Sequence, residues 1–351
     1  MIKRMIVGAF FVGVLLSTPS LTIGTGRVEH IKVHAKSLEG NLEGDSPDRD
    51  VSIYLPTSYD KKKSRHYPVV YFLHGFTDSD DKWYGPTKHW INLPTVLDKA
   101  FQKPDSREMI FVTPNAFTRY QGSMYSSSVT TGDWEKFVSE ELVAYIDRHY
   151  RTIPRQPSRG LAGHSMGGYG ALRIGMKHPE VFSSIYLLSA CCISATFLQL
   201  REEEMAKAET IKDPSEVATA EFLTKIILAA SAAWSPDPNN PPLFLEQPGT
   251  KGPKQMEVFN KWTANAPLAQ IDQYIDNLRE LKGIALDVGD GDHGITDTTK
   301  ELAKVLTNYQ IPHFLEVYTG DHLNHIADRI ETKVVPFFSK NLSFDRKAGH
   351  K

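Results

Sequence analysis

The sequence predicts an α/β protein with a mostly parallel central sheet and helices on both faces. Three observations lead to this prediction. Near-continuous apolar runs such as "YPVVYFLHG" and "MIFVTPN" are typical of strands that are buried on both faces. Segments with helical periodicity, the first over residues 133–150, alternate with the later strands. The same alternation of strand and helix resumes after a different middle segment, so one sheet continues across the chain.

Size and composition fit a catalytic or binding domain and give no sign of nucleic-acid binding. The 351 residues are 40% hydrophobic and 23% charged, with a formal net charge of -2. This length allows one sizeable α/β domain or two small ones. Since the charge is nearly balanced and no long basic run is present, the sequence offers no electrostatic footprint for a nucleic acid.

The first 26 residues are typical of a secretory signal peptide. Lys3 and Arg4 precede an uncharged run from Met5 to Leu16, and small residues follow it. Cleavage is expected between Ser20 and Gly26, after which no membrane span remains. An uncleaved N-terminal anchor is the alternative, although the run is shorter than the roughly 20 residues that a spanning helix needs. We therefore expect a secreted or periplasmic protein.

The elements of the predicted α/β domain, residues 27–340, follow in order. Two alternating segments, "RVEHIKVHAKSL" and "RDVSIYLP", predict half-buried antiparallel strands. The two buried runs come next, and residues 133–150 predict an amphipathic helix with Asp133 as its N-cap. "FSSIYLLSA" predicts another strand. After residue 265 the chain returns to helix, strand ("IALDVGDGD"), helix, strand ("PHFLEVYTGDH") and a final helix over 324–339.

The region from about 191 to 265 breaks this alternation. It contains charged helical material and then the proline-rich "WSPDPNNPPLFLEQPG", which predicts an insertion over the sheet edge, either a rigid wall or a lid. Cys191 and Cys192 are the whole cysteine inventory, and adjacent cysteines rarely meet disulfide geometry, so we expect buried structural thiols and no metal site. Residues 341–351 form a polar tail.

The stretch "GLAGHSMGGYGALRIG" carries the clearest chemical signal. Gly163-His164-Ser165-Met166-Gly167 fits G-x-S-x-G between a predicted strand and a predicted helix. In such a turn the serine is strained and points outward, and the residues two before and two after it must be small. Ser165 is therefore the candidate nucleophile, and His164 is expected to pack or orient neighbours rather than act as the base.

A serine nucleophile needs a base, and the base needs an acid that fixes its tautomer. In α/β hydrolases these partners follow in the order Ser, Asp or Glu, His. "LDVGDGDHG" offers three aspartates, and because reacting groups gather beyond the carboxyl ends of parallel strands, Asp287 inside the strand is the weakest of them. Asp292 is preferred to Asp290 because it lies further out on the loop. His322 is preferred to His325 as the base. A calcium site is the alternative interpretation of the aspartate loop, but the loop lacks the later ligands of an EF-hand.

An oxyanion hole is expected beside the serine. One donor is the backbone N–H of Met166, and the other is that of Phe76 in the loop "YFLHGFTDS", where Gly75 lets the backbone turn. Five further residues are candidate substrate contacts, with ordinary packing as the alternative for each: His74, Trp83, Tyr120, Tyr125 and His164.

The chain resembles the esterase D branch of the α/β hydrolases from Val28 to about Phe338. The resemblance is carried by "GNLEGDSPDRDVSIYLPTSYD", "YPVVYFLHGFTD", "GSMYSSSVTTGDWEKF", "GHSMGGYGALRIGMKHPEVF", "VGDGD" and "GDH". This branch includes feruloyl and acetyl xylan esterases, S-formylglutathione hydrolases, enterochelin esterases and the antigen 85 mycolyltransferases. The resemblance implies the α/β-hydrolase fold, with Asp292 as the acid, Ser165 and His322 as nucleophile and base, and Phe76 and Met166 as oxyanion donors.

Two departures limit what the resemblance implies about substrate. Family members often carry a tryptophan a few residues after the histidine, where this chain has His325 and Ile326, and the insertion here is longer than in compact members. We expect a serine carboxylesterase without a cofactor, acting on feruloyl or acetyl esters of plant polysaccharide. The leader argues against the cytosolic substrate of S-formylglutathione hydrolase. The alternatives are acyl transfer to an alcohol or sugar acceptor and a hydrolase fold kept as a non-catalytic binding module.

Overall fold

A computed structural model describes residues 24–194, 200–249 and 251–345 of the chain. Nearly all of the predicted signal peptide, 1–23, lies outside the described residues, as does the end of the predicted tail, 346–351. In the described part of the chain, no helix is both long enough and apolar enough to cross a membrane.

An eight-stranded, mostly parallel sheet forms the centre of the molecule, as the sequence predicts. Its order is β1-β2-β4-β3-β7-β8-β9-β10. The pairs β1–β2 and β2–β4 are antiparallel, and every other pair in this sheet is parallel. A two-stranded ribbon, β5–β6, lies apart from it. The strands are β1 (Arg27–His34), β2 (Asp48–Leu55), β3 (Val69–Leu73), β4 (Ile110–Pro114), β5 (Ser127–Ser128), β6 (Gly132–Asp133), β7 (Arg159–His164), β8 (Ser184–Leu188), β9 (Gly283–Gly289) and β10 (Phe314–Tyr318).

The helices lie between these strands and in the region of the predicted insertion. A π-helical turn, Phe137–Glu141, joins α4 to α5, and another, Ile330–Val334, joins α13 to α14. The helices are α1 (Ser58–Lys61), α2 (Asp80–Tyr84), α3 (Leu93–Ala100), α4 (Trp134–Lys136), α5 (Leu142–His149), α6 (Met166–Lys177), α7 (Glu202–Thr210), α8 (Phe222–Trp234), α9 (Pro253–Asn265), α10 (Pro267–Gln270), α11 (Ile275–Glu280), α12 (Ile295–Asn308), α13 (Ile326–Arg329) and α14 (Val335–Asn341).

Both faces of the sheet are covered, which is why its central strands read as continuous apolar runs. In β3, Val70 and Phe72 belong to one core cluster, together with Leu97 of α3 and Phe338 of α14. The alternate residues of the strand belong to a second cluster, which includes Leu172 of α6. Because successive side chains of a strand point to opposite faces, this division requires helices on both sides.

The helices differ from the predictions in at least three places. The predicted helix over 133–150 is present with Asp133 as N-cap, whose side chain accepts from Lys136 N, but it contains the π-helical turn. The predicted helix from 266 to 283 is instead broken into α10, a 3₁₀ turn (Ile271–Tyr274) and α11. Helix α9 was not predicted, because its sequence carries few buried apolar residues.

The segment that we expected to be an insertion, about 191–265, packs against the core through buried aromatic residues. The rings of Trp234 and Tyr169 have centroids 5.6 Å apart, and Trp262 packs edge-on against Trp234. Hydrogen bonds join the segment to helix α6 and to the loop after β4: Tyr169 Oη donates to the carbonyl of Asn265 and Tyr120 Oη to that of Leu243. The second half of the segment is therefore packed and hydrogen-bonded to the core.

Candidate active site

Ser165 lies on a strained turn between the end of β7 and the start of α6. Its φ of 57° and ψ of -116° are a conformation that side-chain-bearing residues rarely adopt. The turn is possible because its flanks are glycines. A Cβ on Gly163 would lie 2.2 Å from the carbonyl oxygen of Gly167, and a Cβ on Gly167 would lie 1.9 Å from that of Leu73. The first turn of α6 thus crosses directly over the ends of β3 and β7.

This turn is at the point where the strand order of the sheet reverses. The chain leaves β3 for β4 on one side and later returns to β7 on the other, so the carboxyl ends of β3 and β7 flank a crevice. Open α/β sheets bind their ligands in such crevices. The loop after β3 passes close to the serine: a Cβ on Gly75 would lie 3.4 Å from Ser165 Cβ.

A cavity of about 290 Å³ opens at this point, and the three sequence-predicted reacting residues all line it. They come from the loops after three different strands, β7, β9 and β10. The residues that line the cavity are Phe76, Met124, Ser165, Cys191, Cys192, Phe222, Leu223, Ile226, Asp292, His293, Ile295 and His322.

His322 and Asp292 are joined by a hydrogen bond of 2.7 Å between Nδ1 and Oδ2. The Asp292 carboxylate is nearly buried, whereas the His322 side chain is 33% exposed. A carboxylate that accepts from Nδ1 holds the proton on that nitrogen, so Nε2 is left as the acceptor. The imidazole is therefore oriented with its basic nitrogen away from the acid.

The other two aspartates of the loop have different partners. Asp290 Oδ1 accepts from the backbone N–H of Gly320 at 3.1 Å, which links the loops after β9 and β10. Asp287, inside β9 and fully buried, accepts from Tyr186 Oη and from Arg329 Nε. Burial raises the pKa of Asp287 to about 6, against the opposing charge of Arg329. Of the three carboxylates, the one that contacts His322 is Asp292.

His164 supports His322 from below. Its Nε2 lies 2.9 Å from the carbonyl oxygen of His322, and the two rings have centroids 4.7 Å apart. Burial lowers the pKa of His164 to about 3, so this imidazole is neutral and its Nε2–H donates to the carbonyl. The histidine of the G-H-S-M-G turn is a buried residue that fixes the backbone of the loop after β10.

His74 has a similar role in the loop after β3. Its Nε2 accepts from the backbone N–H of Ala116 at 2.8 Å, so its Nδ1–H donates to the carbonyl of Gly75, also at 2.8 Å. Burial lowers its pKa to about 4. Phe76 lies on the loop that His74 fixes. A Cβ on Gly122 would lie 2.7 Å from Met166 Sδ and 2.7 Å from the Phe76 ring, so Phe76 is a neighbour of Met166, the residue after Ser165.

Comparison with known proteins identifies the family. Residues 46–326 match the family model described as "Putative esterase". The chain belongs to this esterase family. Its relatives include an endo-1,4-beta-xylanase/feruloyl esterase of Xylanibacter ruminicola, 30% identical over 169 residues, a match that covers 47% of this chain and 21% of that protein. Esterase Rv1288 of Mycobacterium tuberculosis is 32% identical over 136 residues, 38% of this chain and 27% of that one.

The match spans only 21% and 27% of the length of these two relatives. Solved structures match over nearly the whole chain. A ferulic acid esterase has a TM-score of 0.63 at 22% identity, covering 91% of this chain and 99% of the other. An S-formylglutathione hydrolase from Staphylococcus aureus has a TM-score of 0.57 at 13% identity, with coverages of 90% and 99%. The predicted resemblance and the α/β-hydrolase fold are confirmed.

Three aromatic residues that were candidate substrate contacts lie in the core instead. Trp83, Tyr120 and Tyr125 are all fully buried, and each has a protein partner for its polar atom. Trp83 Nε1 donates to Asp78, Tyr120 Oη to the carbonyl of Leu243, and Tyr125 Oη to that of His74. Since none of them lines the cavity, their expected contact with substrate is corrected to a packing role, and so is that of the buried His74 and His164.

Several wall residues were not found from the sequence. Phe222, Leu223 and Ile226 come from the first turns of α8, and no local sequence pattern distinguishes them from other apolar residues of that helix. Cys191 and Cys192 are free thiols, as expected, but both line the cavity and Cys191 is only half buried. Within the described ranges, no group of three or more histidine, cysteine, aspartate or glutamate side chains could hold a metal ion.

Proposed function

We propose that this chain is an exported serine carboxylesterase that acts through an acyl-enzyme, with Ser165, His322 and Asp292 as its catalytic triad. The observation that carries the proposal is the 2.7 Å bond between His322 and Asp292 on the wall of the cavity that Ser165 also lines. A nucleophile on a strained turn beside an oriented imidazole is the arrangement that acyl transfer needs.

In the proposed reaction, the Oγ of Ser165 attacks the ester carbonyl carbon and His322 Nε2 takes its proton. Asp292 stabilises the imidazolium that forms and keeps its orientation. When the tetrahedral intermediate collapses, the carbon–oxygen bond to the alcohol breaks, and the same Nε2–H protonates the leaving oxygen. A water molecule, deprotonated by His322 Nε2, then attacks the acyl carbon of the acyl-enzyme. The bond from this carbon to Ser165 Oγ breaks, Nε2–H returns the proton to Oγ, and the carboxylic acid is released.

Two backbone N–H groups are proposed to hold the oxyanion. Met166 is the first residue of the 12-residue helix α6, where the N–H groups have no acceptor within the helix and the helix dipole favours negative charge. Phe76 supplies the second N–H from the loop after β3, held by His74. Losing one such donor typically costs about 3 kcal/mol of transition-state stabilisation.

The acyl group is proposed to be feruloyl, with acetyl esters as smaller substrates. The cavity beside Ser165 is mostly apolar and, at about 290 Å³, lies near the lower end of the roughly 300–1,000 Å³ usual for small-molecule sites. Phe76 and Phe222 contact each other edge-on at 6.0 Å and offer ring surfaces to an aromatic acyl group. The names of the Xylanibacter relative and of the ferulic acid esterase structure support the same class.

The proposed alcohol is a plant polysaccharide, and the proposed location is outside the cytoplasm. Residues 1–26 support export, since a basic start, an apolar run of signal length and small residues follow in order. An exported esterase meets polysaccharide esters and does not meet the cytosolic substrate of S-formylglutathione hydrolase.

Hydrolysis of three esters by the purified protein tests the proposal: p-nitrophenyl acetate, methyl ferulate and acetylated xylan, each with Ser165→Ala as the control. We expect turnover of methyl ferulate that is lost in the variant. Turnover of the acetate alone would contradict the feruloyl assignment, and turnover that persists in Ser165→Ala would contradict the nucleophile. An added sugar acceptor that yields more ester than free acid would replace hydrolysis by acyl transfer.

A further inference from the structure

A second cavity, of about 370 Å³, adjoins the acyl cavity at His322. Its lining residues, which we call the Trp90 groove, are Trp90, Asp321, His322, Leu323 and Asn324. Among the residues that the structure describes, His322 lines both this groove and the cavity that contains Ser165. The two cavities therefore meet at this residue and differ in the other residues that line them.

Trp90 is an exposed aromatic residue held in a fixed orientation. Its side chain is 39% exposed, yet its ring packs edge-on against Trp83 and His164, with centroids 5.3 and 5.7 Å away. His89 lies 5.0 Å away on another side, and its Nε2 is 2.9 Å from the carboxylate of Asp78. Because Asp78 also accepts from Trp83 Nε1, the residues around Trp90 are themselves tied together.

The opposite side of the groove is a compact polar turn. Asp321 Oδ1 accepts from the backbone N–H groups of Leu323 and Asn324, both at 2.8 Å. Asn324 Oδ1 in turn accepts from the N–H of Asp321 at 3.1 Å. The groove thus combines an indole ring, one exposed leucine and a carboxylate and amide on a turn that is already ordered.

We propose that the Trp90 groove binds the sugar ring that forms the alcohol half of the ester. This inference rests on the proposed function. When the tetrahedral intermediate collapses, the acyl carbon stays bonded to Ser165 Oγ, the bond to the sugar oxygen breaks, and His322 gives that oxygen its proton. The sugar must then lie within reach of His322 and outside the acyl cavity, and the Trp90 groove meets both conditions.

The chemistry of the groove suits a sugar. The C–H groups of a sugar face carry small positive charges, which the negative face of an indole ring attracts. The hydroxyl groups at the ring edge need hydrogen-bond partners, and carboxylate and amide groups on the turn after β10 supply them. A small alcohol such as methanol would reach neither the ring nor the turn.

The test compares two esters with the same acyl group, methyl ferulate and feruloyl arabinofuranoside, in wild type, Trp90→Ala and Trp90→Phe. We expect Trp90→Ala to lower the ratio of kcat/KM for the sugar ester to that for methyl ferulate about tenfold, mainly through KM, as the loss of one aromatic contact implies. Trp90→Phe, which keeps a smaller ring, should give an intermediate ratio. Phe314→Ala is the matched control, because Phe314 is also exposed (45%) but lies at the start of β10, the end remote from His322.

An unchanged ratio in Trp90→Ala would overturn the inference, and so would equal losses on both esters, which would show that Trp90 only supports His164. Failure of the proposed function looks different, since wild type would then cleave neither feruloyl ester. In that case, if wild type cleaves acetates, acetylated xylobiose and ethyl acetate replace the pair and the same ratio is measured. If wild type cleaves no ester, saturation-transfer NMR with xylotriose decides: contact that Trp90→Ala loses supports the groove, and no contact with wild type overturns it.

Discussion

The loops at the strand ends and the inserted segment contribute different parts of the site. Ser165, Asp292 and His322 follow β7, β9 and β10, and buried histidines and backbone hydrogen bonds fix the loops around them. The wall from the insertion consists of the first turns of α8, whose Phe222 is 59% exposed. We therefore propose that the sheet positions the reacting side chains, while the segment with α8 determines which acyl groups fit the cavity.

The largest effect on kcat is expected from substitution of Asp292, the proposed acid after β9. Asp292→Asn would leave the loop in place but remove the charge and favour the wrong tautomer of His322, so we expect kcat on p-nitrophenyl acetate to fall about 10⁴-fold. Asp290→Asn is the matched control, since Asp290 contacts Gly320 rather than His322. Its kcat should change less than tenfold. A larger loss in Asp290→Asn than in Asp292→Asn would contradict the assignment of the acid.

An effect on stability is expected where α4 and α6 contact the end of α9. Glu135 Oε2 accepts from Arg173 Nε at 3.0 Å and from Lys177 at 2.9 Å, and Arg173 also reaches the side chain of Asn265 at the end of α9. Burial opposes ionisation of Glu135, but His178, Arg173 and Lys177 outweigh it and lower its pKa to about 2. Glu135→Gln should lower the free energy of unfolding by about 3 kcal/mol at pH 7.

The pH dependence of this loss follows from the direction of the pKa shift. A carboxyl group with a lowered pKa contributes stability above its unfolded pKa of about 4.5, and that contribution disappears as the pH falls toward 2. The difference between wild type and Glu135→Gln should therefore narrow below pH 4.5 in urea unfolding experiments. If the difference in free energy of unfolding between the two proteins stays constant from pH 7 to pH 3, the charge of Glu135 is not what stabilises these contacts.

A smaller and selective effect is expected at the insertion wall. Phe222→Ala should lower kcat/KM for methyl ferulate about tenfold, because it removes an apolar surface from the cavity, and should lower that for p-nitrophenyl acetate less than threefold. Met256→Ala is the control, since Met256 of α9 is also exposed (60%) but does not line the cavity. Equal losses on the two esters would contradict a role for the insertion in substrate choice.

The sequence predicts the residues at the strand ends better than it predicts the contacts of aromatic side chains in the loops. The strands and the positions of Ser165, Asp292 and His322 are readable because parallel strands bring their carboxyl ends to one edge, so order along the chain implies proximity. The contacts of Trp83, Tyr120 and Tyr125 were not readable. Whether a loop aromatic points outward depends on distant partners such as Asp78 and the carbonyl of Leu243.

The same limit applies to the residues that the sequence did not indicate. Phe222 lines the cavity because α8 packs back toward the loop after β3, and nothing local to "FLTKIILAA" specifies that. Trp90 is exposed because its neighbours Trp83 and His164 occupy the core beneath it. Tertiary packing, rather than periodicity, decides such positions.

Covalent labelling tests the central claim most directly. The purified protein is treated with diisopropyl fluorophosphate, and the modified residue is located by peptide mass mapping in wild type, His322→Ala and Ser165→Ala. We predict one adduct on Ser165, a labelling rate at least 10³-fold lower in His322→Ala, and no adduct in Ser165→Ala, because the hydroxyl is reactive only when His322 takes its proton. An adduct on another residue, or unchanged labelling in His322→Ala, would contradict a nucleophile and base supplied by the ends of β7 and β10.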